Sequence, residues 1–143
     1  MFLLTESYGD LFSTLPNTSL AHCVSMDFHM SRGVAQIFKR KFGKVHFLKS
    51  QIQKVGQCAV LHEGNRYIFY LATKSHYFMK PSYHTLEQAL RSMRTHMELY
   101  DVRDLSIPAL GSGLDKLEWV QVKHIIHKVF SHTNIHIHAY HLQ

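Results

Sequence analysis

A glycine-flanked turn at residues 109–115 holds the residue types that could most directly do chemistry. Gly111 and Gly113 can adopt positive φ and let the backbone approach a ligand, and the free N–H groups at the start of the following helix favour phosphate. Asp115 lies at the mouth of the same turn, where a carboxylate contributes little to phosphate binding. The pattern indicates a sugar-phosphate site with an acid or base beside it.

The same residues also have a purely structural interpretation. Asp115 and Glu118 are spaced as in a capping box, in which both side chains accept hydrogen bonds from orphan N–H groups at a helix start. A lone Gly-x-Gly is more often a turn than a nucleotide site. The turn alone therefore leaves capping and chemistry both open.

The composition restricts the size of the fold and the charge of its partners. A chain of 143 residues with 45% hydrophobic residues can bury an ordinary core, so we expect one domain over residues 1–143. Sixteen Lys and Arg against ten Asp and Glu give a formal net charge of +6, which favours anionic partners such as nucleotides or nucleic acid.

The location of the protein is predicted from cysteine usage and hydropathy. Cys23 and Cys58 lack a Cys-x-x-Cys pattern and suit a reducing, intracellular compartment, nuclear or cytoplasmic. No apolar run reaches transmembrane length, and the apolar start is too short for a signal peptide. We expect a soluble monomer without membrane association.

Six strand-like runs alternate with helical patterns. The strands are predicted at residues 2–6, 19–24, 58–62, 67–73, 105–108 and 135–140. Helical apolar stripes comprise Val34, Ile37, Phe38 and Phe42, then Leu86, Ala89, Leu90, Met93 and Met97, then Val122, Ile125, Ile126 and Val129. A hairpin turn at residues 63–66 beside strand–helix–strand segments implies a mixed sheet. The predicted fold class is α/β, a three-layer α/β/α sandwich with a mixed, roughly six-stranded sheet.

Ligands bind such a sheet beyond the carboxyl ends of its strands, where the connecting loops converge. The segments in those positions are residues 9–11, 24–33, 73–74 and 111–115. None contains Gly-x-Gly-x-x-Gly or the Walker pattern. This argues against a dinucleotide-binding Rossmann half and against a P-loop nucleotidase.

Four sequence segments resemble those of a known protein family: YGDLF at residues 8–12, SLAHCVS at 19–25, YLATK at 70–74 and PALGSGLD at 108–115. Together they resemble the macrodomain family, and more narrowly its terminal ADP-ribose protein glycohydrolase branch. The similarity runs in order from the first predicted strand to the C-terminus. It implies the macrodomain fold, ADP-ribose and ADP-ribosylated proteins as partners, and no cofactor.

The resemblance also implies the ligand-binding residues. Asp10 would receive the adenine amino group, with Leu11 packing nearby and Leu142 covering the adenine edge. Two loops would embrace the diphosphate and the distal ribose through Ser25, Gly33, Val34, Ala109, Leu110, Gly111, Ser112, Gly113 and Leu114. A carboxylate suits the exocyclic N–H of adenine, and backbone N–H groups suit phosphate oxygens. From the residues alone, Asp10 has the alternative role of an Asx turn that closes the first strand.

Lys74 decides between an enzyme and a binding module. By resemblance it matches the position whose uncharged amine attacks the anomeric carbon of ADP-ribose esterified to a Glu or Asp side chain. Asp115 is expected to move protons during formation and resolution of this adduct, more than to pair statically with Lys74. Lys74 and Asp115 are therefore the predicted catalytic residues of an ADP-ribosyl glycohydrolase, with O-acetyl-ADP-ribose deacylation as a second activity. Without the resemblance, Lys74 would be a solvated lysine at a strand end.

One departure from the family pattern leaves alternatives open. Ser31 and Arg32 replace two small residues in the second loop. Arg32 offers a charge-assisted contact to the diphosphate, whereas its bulk and the backbone limits at Ser31 oppose loop closure. If Ser31 and Arg32 prevent closure of this loop, the protein would be a non-catalytic module that binds ADP-ribose or poly(ADP-ribose). The basic composition leaves weak nucleic-acid contact, or a nucleic-acid-binding protein, as a further alternative.

The histidines and the single tryptophan are assigned structural roles. His124 and His127 share a predicted helix face, and His136 and His138 share one side of the last strand, which raises a metal hypothesis. Strand alternation explains the second pair more simply by placing both side chains outward, so no metal site is predicted. Trp119 is expected to pack its helix onto the sheet.

Overall fold

The computed structural model describes residues 1–112 and 115–142. In this part of the chain six strands form one sheet: β1 Leu3–Tyr8, β2 Ser19–Ser25, β3 Cys58–Glu63, β4 Arg66–Lys74, β5 Asp104–Pro108 and β6 His136–His141. The helices are a short 3-10 helix at Leu11–Ser13, α1 Gly33–Phe42, α2 Val45–Lys49, α3 Tyr83–Leu99 and α4 Trp119–Phe130. The mixed six-stranded sheet predicted from the sequence is confirmed.

The sheet is parallel except at one edge, and its order is β1-β6-β5-β2-β4-β3. β3 runs antiparallel to β4, and the predicted hairpin joins them with Glu63 opposite Arg66. Gly64 in that turn has a φ of 61°, which glycine adopts without steric cost. The other neighbouring pairs are parallel. The carboxyl ends of β1, β2, β4, β5 and β6 therefore meet at one edge of the sheet.

Helices cover both faces of the sheet, as the three-layer prediction required. α3 and α4 pack on one face, where the predicted stripe of α3 is completely buried against β4 residues such as Phe69 and Leu71. α1 and α2 cover the other face with Phe38 and Leu48, which pack with Tyr70 of β4. The side chains of β4 thus point alternately into two hydrophobic cores, one on each face of the sheet. Each fully buried Leu or Phe contributes about 1.5–3 kcal/mol of transfer free energy. This burial holds β4 firmly in the sheet.

α3 begins with a complete capping box. Ser82 Oγ accepts from Thr85 N at 3.0 Å, and Thr85 Oγ1 accepts from Ser82 N at 3.1 Å. Such a box satisfies two orphan N–H groups at once. Thr85 Oγ1 also donates to Thr73 O at 2.7 Å, so the helix start is tied directly to the end of β4.

Two short elements were not predicted. The 3-10 helix at Leu11–Ser13 and α2 at Val45–Lys49 have three and five residues, too few to show an apolar period. None of the helices within the described ranges combines the length and the hydropathy that crossing a bilayer requires.

Candidate active site

Lys74 stands at the carboxyl end of β4, beside the end of β2. It pairs with Ser25 across the two strands, after a register shift between Val24 and Ser25. Lys74 O accepts from Met26 N at 2.9 Å. Because the preceding β4 residues are buried, the backbone that carries this amine has little freedom.

The side chains of Lys74 and Asp115 meet at this edge of the sheet. Lys74 Nζ lies 2.7 Å from Asp115 Oδ1, and the two side chains are only 15% and 18% exposed. Asp115 was expected to move protons more than to pair statically with Lys74, and in this structure the two side chains form an ion pair. A half-buried ammonium needs a partner, because burial strengthens its attraction to a carboxylate and makes an unpaired charge costly.

Asp115 does not cap the following helix. α4 begins at Trp119, and Glu118 occupies the N-cap position without a side-chain cap hydrogen bond. Glu118 N donates instead to Tyr83 Oη at 3.0 Å. The capping-box interpretation is therefore wrong, and so is the expectation that α4 starts directly after the glycine turn. The carboxylate of Asp115 is held by Lys74, which outcompetes local capping.

The glycine turn is folded tightly on itself. Gly111 has a φ of 68°, and a Cβ placed there would lie 2.7 Å from Leu117 Cδ1. Leu117 N donates to Gly111 O at 2.6 Å, and Ser112 N donates to Ala109 O at 3.0 Å. Both the positive φ and the close side chain favour glycine at position 111. Gly113 and Leu114, which were also predicted to bind ligand, lie outside the described residues.

The first loop places Asp10 as an Asx turn. Asp10 Oδ1 accepts from Phe12 N at 2.9 Å and caps the short 3-10 helix. This interaction uses one of the two carboxylate oxygens. Leu11 is buried in the core under α1. Gly9 N donates to His141 O at 3.0 Å, which brings Leu142, at 81% exposure, close to this loop.

The loop between β2 and α1 adopts a strained backbone. Phe28 and Met30 have φ angles of 51° and 47°, in the left-handed region that side chains other than glycine rarely adopt, and Gly33 follows at 58°. Such residues cost about 1–2 kcal/mol each and are concentrated at ligand sites. The side chains of Phe28 and Met30 are buried under α1, which offsets part of this cost.

Asp27 organises that loop, and the sequence analysis missed it. Its Oδ1 accepts from Ser25 Oγ and from His29 N, the latter at 3.2 Å, and its Oδ2 accepts from Tyr77 N at 3.1 Å. Partial burial raises the pKa of Asp27, but the hydrogen bonds from Ser25, Tyr77 N and His29 N outweigh it and leave the pKa below its ordinary value. The local signal that could have revealed this role is the Ser-x-Asp spacing at residues 25–27.

The remaining predicted residues of this loop have different surroundings. Ser25 is only 5% exposed, and its hydroxyl faces Asp27. Gly33 and Val34 form the first turn of α1, whose first N–H groups have no acceptor within the helix. Arg32 is exposed in an extended conformation at the N-cap. Ser31 Oγ lies 2.8 Å from His29 Nδ1.

The comparisons with known proteins begin with a negative result, since no family model matches the chain. The ADP-ribose glycohydrolase OARD1 of Homo sapiens is 45% identical over 137 residues, which are 96% of this chain and 90% of that protein. The structure of the macrodomain of Thermus aquaticus DarG superposes with a TM-score of 0.86 at 26% identity and covers 98% of this chain and 99% of that one. The chain belongs to the macrodomain family.

A third comparison concerns the macrodomain fold alone. The structure described as Thermosipho africanus DarTG in complex with ADP-ribose superposes with a TM-score of 0.81 at 21% identity. It covers 97% of this chain and 41% of that one.

Two ionisable groups of the macrodomain near the site remain neutral at physiological pH. Burial, with a further contribution from the negative charge of Asp115, raises the pKa of Cys23 to about 12, although Lys74 and hydrogen bonds oppose the shift. Burial lowers the pKa of His22 to about 3, and its ring stacks on Phe38 at a centroid distance of 3.8 Å. A protonated thiol is a weak nucleophile, so Cys23 is not a candidate nucleophile.

Glu6 ties α4 of the macrodomain to the sheet. Its Oε1 accepts from Trp119 Nε1 at 2.8 Å and lies 2.8 Å from His141 Nε2, while Lys123 Nζ donates to Oε2 at 3.2 Å. The hydrogen bond from Trp119 is the largest influence, and with those from His141 and Lys123 it outweighs burial and lowers the pKa of Glu6 to about 2. Trp119 packs against the core as expected, and Glu6 adds a polar anchor to that contact.

His136 and His138 on β6 of the macrodomain form hydrogen bonds with Thr5 on β1. His136 and His138 alternate with buried Ile137 and Ala139, as predicted. Thr5 Oγ1 lies 2.7 Å from His136 Nε2 and 2.6 Å from His138 Nδ1. In the residues that the structure describes, no group of three His, Cys, Asp or Glu side chains is arranged to hold a metal ion.

Proposed function

We propose that this macrodomain is an ADP-ribosyl glycohydrolase that releases ADP-ribose from modified Glu and Asp side chains through Lys74. The observation that carries the proposal is the 2.7 Å contact between Lys74 Nζ and Asp115 Oδ1 at the edge where the loops converge. The 45% identity to a protein named ADP-ribose glycohydrolase supports the hydrolase class. The ester substrate and the roles of the two residues are our proposal.

ADP-ribose would lie along the carboxyl edge of the sheet. Asp10 would accept the exocyclic N–H of adenine through the oxygen that the Asx turn does not use. The first N–H groups of α1, starting at Gly33, would receive diphosphate oxygens, as free N–H groups at helix starts commonly do. The turn at residues 109–112 would face the distal ribose, with Gly111 allowing the close approach.

The proposed reaction passes through a lysyl adduct. Lys74, an ammonium in the pair with Asp115, first releases one proton to solvent. The uncharged amine then attacks the anomeric carbon of the distal ribose, and the bond to the ester oxygen breaks as the C–N bond forms. The acceptor leaves as a carboxylate, while Asp115 Oδ1 takes a proton from the amine nitrogen at 2.7 Å. Asp115 returns this proton to the nitrogen and takes another from an attacking water molecule, which displaces the lysine at the anomeric carbon and releases ADP-ribose. The net reaction consumes one water molecule per ester.

A second proposed activity concerns another ester of the distal ribose. O-acyl-ADP-ribose also presents an ester on the distal ribose, so we propose its deacylation as a secondary reaction. We further propose that the protein acts inside the cell, in the nucleus or cytoplasm. The free thiols of Cys23 and Cys58 support a reducing compartment.

The proposal is tested by incubating the protein with a glutamate-ADP-ribosylated target and measuring released ADP-ribose. Lys74→Ala should abolish release, whereas Lys80→Ala, which changes an exposed lysine six residues away, should not alter it. Release by Lys74→Ala at the wild-type rate would remove the lysine mechanism. Tight ADP-ribose binding by the wild type without any release would favour the non-catalytic binding module.

A further inference from the structure

A ring stack joins the two loops on either side of the proposed nucleophile. The rings of His29 and Tyr77 lie 3.9 Å apart between centroids, with their planes 17° from parallel. His29 belongs to the strained loop between β2 and α1, and Tyr77 follows Lys74 by three residues. The stack therefore connects the loop expected to receive the diphosphate with the segment that leaves the site.

Polar contacts fix both partners of this stack. Ser31 Oγ lies 2.8 Å from His29 Nδ1, and Lys39 Nζ donates to His29 O at 3.3 Å. On the other side, Asp27 Oδ2 accepts from Tyr77 N at 3.1 Å. The ring of His29 and the backbone of Tyr77 are thus both held.

The same contacts limit where the backbone of Lys74 can lie. At Lys74 itself, Met26 N of the loop between β2 and α1 donates to Lys74 O. Three residues later, Tyr77 contacts Asp27 and His29 of the same loop. Only Ser75 and His76 separate Lys74 from Tyr77. The backbone of Lys74 is therefore held by two contacts with the same loop, one at Lys74 and one at Tyr77.

We propose that His29 and Tyr77 are positioning residues that hold Lys74 at attack distance, and that Ser31 orients His29 for this purpose. The inference rests on the proposed function of Lys74. It also gives Ser31 a structural role in this chain, because its hydroxyl contacts the His29 ring and a glycine has no side chain to do so. The stack acts through Lys74 and does not touch the reacting atoms.

Three alanine variants and one conservative variant test the stack. Tyr77→Ala removes the ring but keeps the backbone N–H that Asp27 binds, His29→Ala removes the other ring, and Ser31→Ala removes only the orienting hydroxyl. Tyr77→Phe retains the ring and should restore activity. Phe47→Ala is the matched control, because Phe47 is also an exposed ring, at 56% exposure, but lies on α2.

The expected result is a kcat effect with little change in KM. Tyr77→Ala and His29→Ala should each lower kcat by about tenfold, because misplacing a reacting group by about 1 Å can cost as much as 100-fold. KM should change by less than about threefold, whereas loosening of the ligand loop alone would raise KM. The double variant should be no slower than either single variant, since both remove the same contact. Ser31→Ala should show a smaller loss in the same direction.

Hydrogen exchange provides a readout independent of catalysis. Tyr77→Ala should increase amide exchange in residues 26–32, and Phe47→Ala should not. Normal kcat in Tyr77→Ala and His29→Ala, or additive losses in the double variant, would overturn the proposal. If Tyr77→Ala does not fold, His29→Ala and Ser31→Ala decide. Full activity of Lys74→Ala would instead remove the proposed function, while the exchange experiment would still report on the stack.

Discussion

Lys74 Nζ and Asp115 Oδ1 lie 2.7 Å apart although 41 residues separate them in the chain. Lys74 ends the buried strand β4, and Asp115 stands between the glycine turn and α4. This contact brings the proposed nucleophile and the proposed proton acceptor to the edge of the sheet where ligands of α/β folds bind. The predictions below test this pair and the residues that surround it.

Asp115→Asn keeps the shape of the side chain and removes its ability to accept a proton. We expect kcat for ADP-ribose release to fall by about 100-fold or more, the usual contribution of a general base. Asp104→Asn is the control, because Asp104 is exposed on β5 and should have normal kinetics. Steady-state rates on an ester-linked substrate measure both, and equal rates in the two variants would contradict a proton-transfer role.

Asp10 is predicted to bind adenine, and two variants separate this role from the Asx turn. Asp10→Asn keeps an oxygen that can accept from Phe12 N but replaces the second acceptor with a donor. Loss of a hydrogen bond to a charged group should weaken ADP-ribose binding by roughly 10- to 100-fold.

Calorimetric titration of Asp10→Asn and Asp10→Ala measures this loss, and thermal unfolding monitors the turn. We expect Asp10→Asn to bind as weakly as Asp10→Ala while it keeps the wild-type Tm. Wild-type affinity in Asp10→Asn would show that Asp10 serves only the turn.

Gly111→Ala and Gly43→Ala form a matched pair. Both glycines have positive φ, 68° and 59°, but a Cβ at Gly111 would clash with Leu117, whereas nothing lies within 4 Å of one at Gly43. Gly43→Ala should cost about 1–3 kcal/mol of unfolding free energy from backbone strain alone, because φ 59° with ψ −137° lies outside the left-handed helical region. Gly111→Ala should also lower activity, because it displaces the turn next to Asp115.

Denaturant unfolding and kinetic assays on both variants measure these effects. Normal turnover in Gly111→Ala would separate the turn from the site.

Glu6 should make the stability of the protein pH-dependent. Its pKa is about 2 in the folded protein and about 4.5 as an ordinary value, so its contribution is fully present above about pH 4.5 and is lost as the pH falls towards 2. Glu6→Gln should therefore lower Tm at pH 7, and the difference from wild type should shrink at pH 3. A difference that stays constant between the two pH values would show that the Glu6 charge contributes nothing.

The fold was largely predictable because its strongest signals are local. The stripe of α3 repeats over several turns, and the hairpin at residues 63–66 is short and polar. The parallel strands follow from the strand–helix–strand order. α2 escaped prediction because five residues with one buried side chain, Leu48, carry no period.

The site was less predictable because its contacts are not local. The spacing of Asp115 and Glu118 satisfies the capping pattern, and only the distant Lys74 excludes that interpretation. Likewise, Ser31 looked like a departure from a small-residue loop, and its contact with His29 depends on a backbone that turns through positive φ at Met30. Family resemblance supplied the candidate residues, and the sequence alone did not supply their partners.

The most direct test of the account is the intact mass of Asp115→Ala after incubation with a glutamate-ADP-ribosylated target. The account predicts a mass gain of one ADP-ribose unit that maps to Lys74, because the adduct forms but resolves slowly, and no gain in a Lys74→Arg, Asp115→Ala double variant. An Asp115→Ala protein that releases ADP-ribose at the wild-type rate and keeps its unmodified mass, or an adduct that maps to another residue, would contradict it.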